Sequence, residues 1–232
     1  MRRKVRHIIL ILSLWCIAGT AQPPVTISGS APFAAGEEIR LIVFHDLLNG
    51  IPTVATTDII DKNGHFTLKY NTNDILLAQL AIRTSKAEFF ITPSNSYNFN
   101  ISMDSILYER IDPEKYGGFL QIENTKADTN DLNYKISRFS QFFNRVTDAY
   151  SYPMVYGASY NVFDTVRDII AKRYTFHYNP ANYYQSYGYY TLGEIDILEF
   201  RKKPILLYQK YFDNDYILYN NPAYMSLFNQ YY

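Results

Sequence analysis

The sequence predicts an α+β protein: an N-terminal antiparallel β-sandwich of about seven strands, followed by an all-helical, Tyr-rich region. Three observations carry this reading. Between Val25 and Met103, apolar and polar residues alternate in short runs separated by turn residues. From Asp131 onward the apolar spacing becomes helical. Tyrosine changes with it: only Tyr70 and Tyr97 precede residue 105, and the other 21 of the 23 tyrosines follow it.

The strands come first. Val25-Thr26-Ile27-Ser28-Gly29 alternates as a half-buried strand does. Ile39 to Phe44 is a second, between Gly36 and Asn49-Gly50. Thr56 to Asp61, Lys62-Asn63-Gly64 and His65 to Tyr70 read as a tight hairpin. There Asn63-Gly64 supplies positive φ, and Phe66, Leu68 and Tyr70 share a face. Leu76 to Ile82, Lys86 to Ile91 and Tyr97 to Met103 complete the series. Short strands at near-regular spacing are the pattern of a sandwich. Residues 105–128 form a connector broken at Asp112-Pro113 and Gly117-Gly118, with Phe119 to Glu123 a further short strand.

Residues 129–232 are the helical region. Leu132, Ile136, Phe139, Phe143 and Val146 make one apolar stripe, capped by Thr129 or Asn130. Val162, Val166 and Ile169 mark a second helix starting near Asn161, and Leu192 to Lys202 a third. Ile205 to Phe212 is a fourth, and another helical pattern runs from Pro222 to the last residue, Tyr232. Its abrupt stop predicts a chain truncated relative to its kin, or a last segment docked on the preceding helices. Tyr150, Tyr152, Tyr156 and Tyr160 flank Pro153 and Gly157, and Tyr183 to Tyr190 surround Gly188. Both stretches read as loops.

Residues 1–21 read as a cleavable export signal. Arg2, Arg3, Lys4 and Arg6 give a basic start, Ile8 to Ile17 an apolar run, and Gly19 and Ala21 the small residues before a cut at Gln22. The run is half the roughly 20 residues that a membrane span needs. Trp15 before Cys16 is a poor setting for lipid attachment, so the expectation is a freely exported protein of the periplasm, cell surface or medium. Beyond Gln22 no stretch is long enough to span a membrane.

Signal removal changes the chemistry. Cys16 is the only cysteine, so the exported chain has no disulfide, thiolate nucleophile or thiolate metal site. It keeps 18 basic against 22 acidic residues, a net charge of −4, which argues against nucleic acid as a partner. His45, His65 and His177 stand at no ligand spacing, and no nucleophile or phosphate-loop motif occurs. Asp58 and Asp61 fit an acidic turn better than a calcium loop, and Glu194, Asp196 and Glu199 read as a solvated helix face. The expectation is therefore no catalytic residue, no metal and no cofactor.

What remains is binding. Tyrosine gives broad apolar contact and a hydrogen bond at little entropy cost. Tyr152, Tyr156, Tyr183 and Tyr187 are the candidate contact residues of a groove for a glycan, a peptide or an envelope protein.

The string Asp58-Ile59-Ile60-Asp61-Lys62-Asn63-Gly64-His65-Phe66, the strand into Gly29, and Ile91-Thr92-Pro93-Ser94-Asn95-Ser96-Tyr97 carry a resemblance. Together they resemble the small β domain of unknown function that precedes thioredoxin-like domains in exported proteins of Gram-negative bacteria. Asn130-Asp131-Leu132-Asn133 and its helix resemble the segment between those two parts. The resemblance covers about residues 22–150. It implies an alternative, that the chain is an accessory part or remnant of an exported thiol–disulfide protein. The Cys-x-x-Cys which that chemistry requires is absent.

Overall fold

The structure is a computed structural model that describes residues 22–103, 120–126, 128–157, 161–200, 203–213 and 216–232. The signal with its cut after Ala21, most of the 105–128 connector, Tyr160 and Lys202 lie outside the described residues.

Two four-stranded sheets form the N-terminal half. One has the order β4 (His65–Tyr70), β1 (Val25–Ser30), β7 (Ser96–Met103), β8 (Leu120–Asn124). The other has the order β3 (Thr53–Ile59), β2 (Glu38–Phe44), β5 (Leu76–Ile82), β6 (Ser85–Ile91). Among the described residues every pairing is antiparallel except β1 with β7, which is parallel. The alternating residues face one another between the sheets: Val25, Ile27, Leu41, Leu68, Leu80, Ile91, Tyr97 and Phe99 are all buried. Full burial of a Leu or Ile side chain contributes roughly 1.5–3 kcal/mol. Gly29 in β1 is fixed by crowding, because a Cβ there would lie 2.2 Å from the Phe99 carbonyl oxygen and 2.8 Å from the Phe66 ring.

The expected hairpin is instead an arch between the sheets. The turn forms, but with positive φ at Gly64 alone (85°) and not at Asn63, and with the Asp61 N–H donating to His65 O at 2.9 Å. Yet β3 pairs with β2 and β4 with β1, so the strands part beyond the turn. Ile60 is the cause. It is fully buried between the sheets, and its backbone bonds to Gly36 and Glu37 instead of continuing the ladder. The two-residue hairpin lies elsewhere, between β5 and β6, where Arg83 takes a φ of 53°. β8 places the end of the expected connector inside the sandwich, paired with β7.

Among the described residues five helices follow: α1 (Leu132–Tyr156), α2 (Asn161–Ala171), α3 (Tyr183–Phe200), α4 (Pro204–Tyr211) and α5 (Pro222–Tyr231). Asp131, and neither Thr129 nor Asn130, caps α1, its carboxylate accepting the Tyr134 N–H at 3.0 Å. The first expected Tyr-rich loop is helical as far as Tyr156, and the second is helical from Tyr183. α1 runs on through Pro153, where the missing N–H costs one helical bond near the end. α3 starts at Tyr183, nine residues before the expected Leu192, and lies between two apolar clusters. Phe139, Phe143, Val166, Ile170, Phe176 and Ile195 form one cluster; Tyr190, Leu207, Tyr211, Tyr224 and Leu227 form the other. Gly188 is required by contact, because a Cβ on it would meet the Phe176 ring at 2.4 Å. No described helix is long and apolar enough to cross a membrane.

The helices rest on the second sheet. Asn133 of α1 bonds to Phe90 of β6, Asn220 Nδ2 donates to Ile75 O at 3.0 Å, and the Leu47 N–H donates to Tyr219 O at 2.8 Å. Phe90 meets the rings of Tyr183 and Tyr187 edge-on at 5.7 and 6.0 Å.

Candidate binding cleft

A sandwich leaves unpaired strand edges, which must be covered or capped. On one side of this sandwich β3 and β4 lie against each other. Asp58 of β3 accepts the Thr67 N–H of β4 at 2.7 Å, and the β2–β3 ladder is bulged beside Leu41. That side is closed locally. On the other side β6 and β8 approach without pairing, and α1 touches β6.

Between β6, β8 and the first turns of α1 lies a cleft of about 680 Å³. Phe90, Ile122, Ile136 and Tyr134 supply its apolar surface, and Tyr187 of α3 reaches its inner end. Glu88, Glu123, Asn124, Ser137, Arg138 and Gln141 supply polar groups. Tyr134, Arg138 and Gln141 reach it from one side of α1, being spaced 4 and 3 residues apart. Tyr134 stays 42% exposed, while Phe90 is buried beneath the helices.

Asn133 bridges the cleft floor. Its Oδ1 accepts the Phe90 N–H at 2.6 Å and its Nδ2 donates to the Phe90 C=O at 2.9 Å. One side-chain amide thus does for Phe90 what a neighbouring strand would do. Nearby, Gln79 Nε2 donates to Glu88 Oε1 at 2.8 Å and steadies that carboxylate.

The four tyrosines expected to form one groove fall into two separate pairs. Tyr152 and Tyr156 are 74% and 75% exposed near the end of α1, their ring centroids 5.2 Å apart. Tyr183 and Tyr187 are half-buried on α3, against Phe90. Tyr187 also bonds to Ser140 of α1 at 3.2 Å, and Tyr152 lies about 18 Å farther along that helix at about 1.5 Å per residue. Of the four only Tyr187 lines the cleft. Burial pushes the Tyr183 and Tyr187 hydroxyls up, so both remain neutral donors at any ordinary pH. The other lining residues went unread in the sequence. The one signal for them is the Tyr134, Arg138, Gln141 row beside the apolar stripe.

A second cluster corrects the expectation of a solvated acidic face. Asp196 is 2% exposed and joins three helices. It accepts from Arg167 of α2 and Tyr211 of α4, each at 2.6 Å, and from Lys210 of α4. Arg167 also pairs with Glu199. Burial opposes the Asp196 charge, but its bonds to Lys210, Tyr211 and Arg167 outweigh burial and hold its carboxyl below the ordinary range. Glu194 is pushed up by burial. With its oxygens engaged by three donors, Asp196 braces the helices and is not placed to exchange protons with a substrate.

The remaining singled-out groups sit apart. His45 Nε2 lies 3.2 Å from the Tyr70 hydroxyl, and His65 and His177 are exposed. Asp61 accepts the Asn63 and His65 N–H groups at 2.8 Å, which makes it a turn cap, and those backbone bonds lower its pKa. Among the described residues no cluster of three His, Asp or Glu side chains could hold a metal ion. No protein-family model matches this chain, and no curated protein matches its sequence.

Proposed function

We propose that the chain is an exported, non-enzymatic interaction module, and that the cleft between β6, β8 and α1 is its binding surface. The observation that carries this reading is the cleft's make-up: aromatic and aliphatic walls, exposed polar groups at the rim, and two strand edges within reach. Apolar concavities with a few convergent polar groups are the usual form of a binding site. The titratable groups nearest to a catalytic arrangement, around Asp196, are occupied in joining helices. A partner could be a peptide, a glycan or another protein of the envelope, and export follows from the basic and apolar segment before Gln22.

Ser137 gives a clean test. It lines the cleft from an exposed position on α1, so Ser137→Trp fills the cleft without touching the core. On a peptide and glycan array, ligands held by the wild type should be lost with Ser137→Trp. Ligands held equally by both proteins would place the binding surface elsewhere.

A further inference from the structure

β6 is the outer strand of its sheet, with β5 on one side and the cleft on the other. In an antiparallel ladder, alternate residues turn both N–H and C=O toward the partner strand, and the residues between them turn both away. The β5–β6 pairing runs from Ile82–Ser85 to Leu76–Ile91 without a bulge. Phe90 belongs to the outward set, because Asn133 takes both of its backbone groups. By the same parity Glu88 and Lys86 turn their N–H and C=O outward. Asn133 therefore supplies one residue's worth of strand pairing, and among the described residues no protein group extends it along Glu88 and Lys86.

The walls define what would extend it. Phe90, Ile122 and Tyr134 offer apolar seats. Glu88 and Glu123 are exposed carboxylates on the two strands and Asp131 stands at the start of α1; against these three stand two cations, Arg138 in the lining and Lys86 just beyond it on β6. The charge favours a cationic occupant.

We infer that the cleft takes an extended peptide segment of a partner protein, laid beside β6 as an added strand. Its main chain bonds to the outward groups of Glu88 and Lys86, and its Lys or Arg side chains face Glu88 and Glu123. Main-chain pairing supplies affinity in such strand addition, and side chains select the sequence. A glycan has no row of amides to match the edge, and an acidic peptide meets like charge. The inference rests on the cleft being the binding surface.

The test is fluorescence anisotropy on the full chain with three dye-labelled probes. The first is the peptide Thr-Val-Lys-Val-Lys-Val-Thr, the second has Glu in place of Lys, and the third is the Lys peptide N-methylated at alternate amides. The Lys probe should bind at least about tenfold more tightly than either of the others, and the double variant Glu88→Lys, Glu123→Lys should reverse the order of the Lys and Glu probes. Equal binding of the N-methylated probe would overturn strand pairing, and an unchanged order in the double variant would overturn charge selection. If the Lys probe binds Ser137→Trp as well as wild type, the cleft itself is wrong. If no peptide binds while a glycan binds and is lost with Ser137→Trp, the cleft stands and the peptide class falls. A dimer of the chain that the Lys probe dissociates would give the seat to a second copy.

Discussion

The two halves of the molecule solve the same problem of burial by different means. The sandwich uses backbone ladders and a core mostly of Val, Ile, Leu and Phe, and polar groups are kept to turns and to the outer faces of the sheets. The helical half packs tyrosine on tyrosine and keeps one buried carboxylate at the junction of three helices. Tyr190 contacts Tyr178, Tyr189, Tyr211 and Tyr224, a cluster of rings whose hydroxyls must also be accommodated. Burial acts on hydroxyls in the neighbouring cluster too, where that of Tyr184 is pushed up to about 12. The sandwich is thus stabilised mainly by apolar area, and the helical half depends in addition on a few polar placements. Substitutions in the two halves should separate along that line.

Gly29→Ala should have the largest effect. Its Cβ would strike the backbone carbonyl of Phe99, which cannot move without opening the β1–β7 ladder. A loss of about 3 kcal/mol or more is expected in chemical denaturation, with strand and helix signals falling together. Next comes Asp196→Asn. It leaves Arg167 and Lys210 short of their partner, and because both reach solvent the cost is about 2–3 kcal/mol, less than for a fully buried pair.

Asp196 also sets a pH dependence whose sign is fixed. Its folded carboxyl is held below the ordinary value, so the unfolded chain takes up the proton first. The stability it gives is present above the ordinary carboxylate pKa and is lost as pH falls through the folded value. Melting curves from neutral pH down to strong acid should therefore show a steeper loss in wild type than in Asp196→Asn. Glu194 acts oppositely, since burial raises its pKa and its ionisation works against the fold at neutral pH. Glu194→Gln should leave the neutral protein equally or more stable in the same melts.

Gly188→Ala forces a Cβ against the Phe176 ring and should cost about 1–2 kcal/mol, felt in the helical half. Asn133→Ala should be the mildest of the destabilising changes, at about 1 kcal/mol, because water in the cleft can replace two lost hydrogen bonds. It is also the most informative, because it cuts a polar link between the halves. Hydrogen exchange should show faster exchange of the Phe90 amide with little change in β1.

Legibility followed the same division. The strands were readable where one face is buried, as Phe66 and Leu68 show on β4. Their pairing was not, since nothing local reveals that Ile60 is pulled between the sheets and turns a hairpin into an arch. α1 and α2 announced themselves through single stripes. The start of α3 did not, because it is clasped by clusters on two sides and shows no polar face, and because Gly188 reads as a breaker when it is a point of close contact. Reading Gly188 as a breaker puts Tyr183 and Tyr187 in a loop, and reading Pro153 as one does the same for Tyr152 and Tyr156, although both pairs lie inside helices. The cleft was least legible, because it arises where α1 meets two strand edges that come together only in the folded chain.

Methyl and aromatic NMR of the full chain, titrated with the Lys-containing probe, tests the central claim most directly. The account predicts shift changes confined to Ile122, Ile136, Tyr134 and Phe90, with Tyr152 and Tyr156 unmoved. Changes centred on Tyr152 and Tyr156, or none at the cleft under saturation, would contradict it.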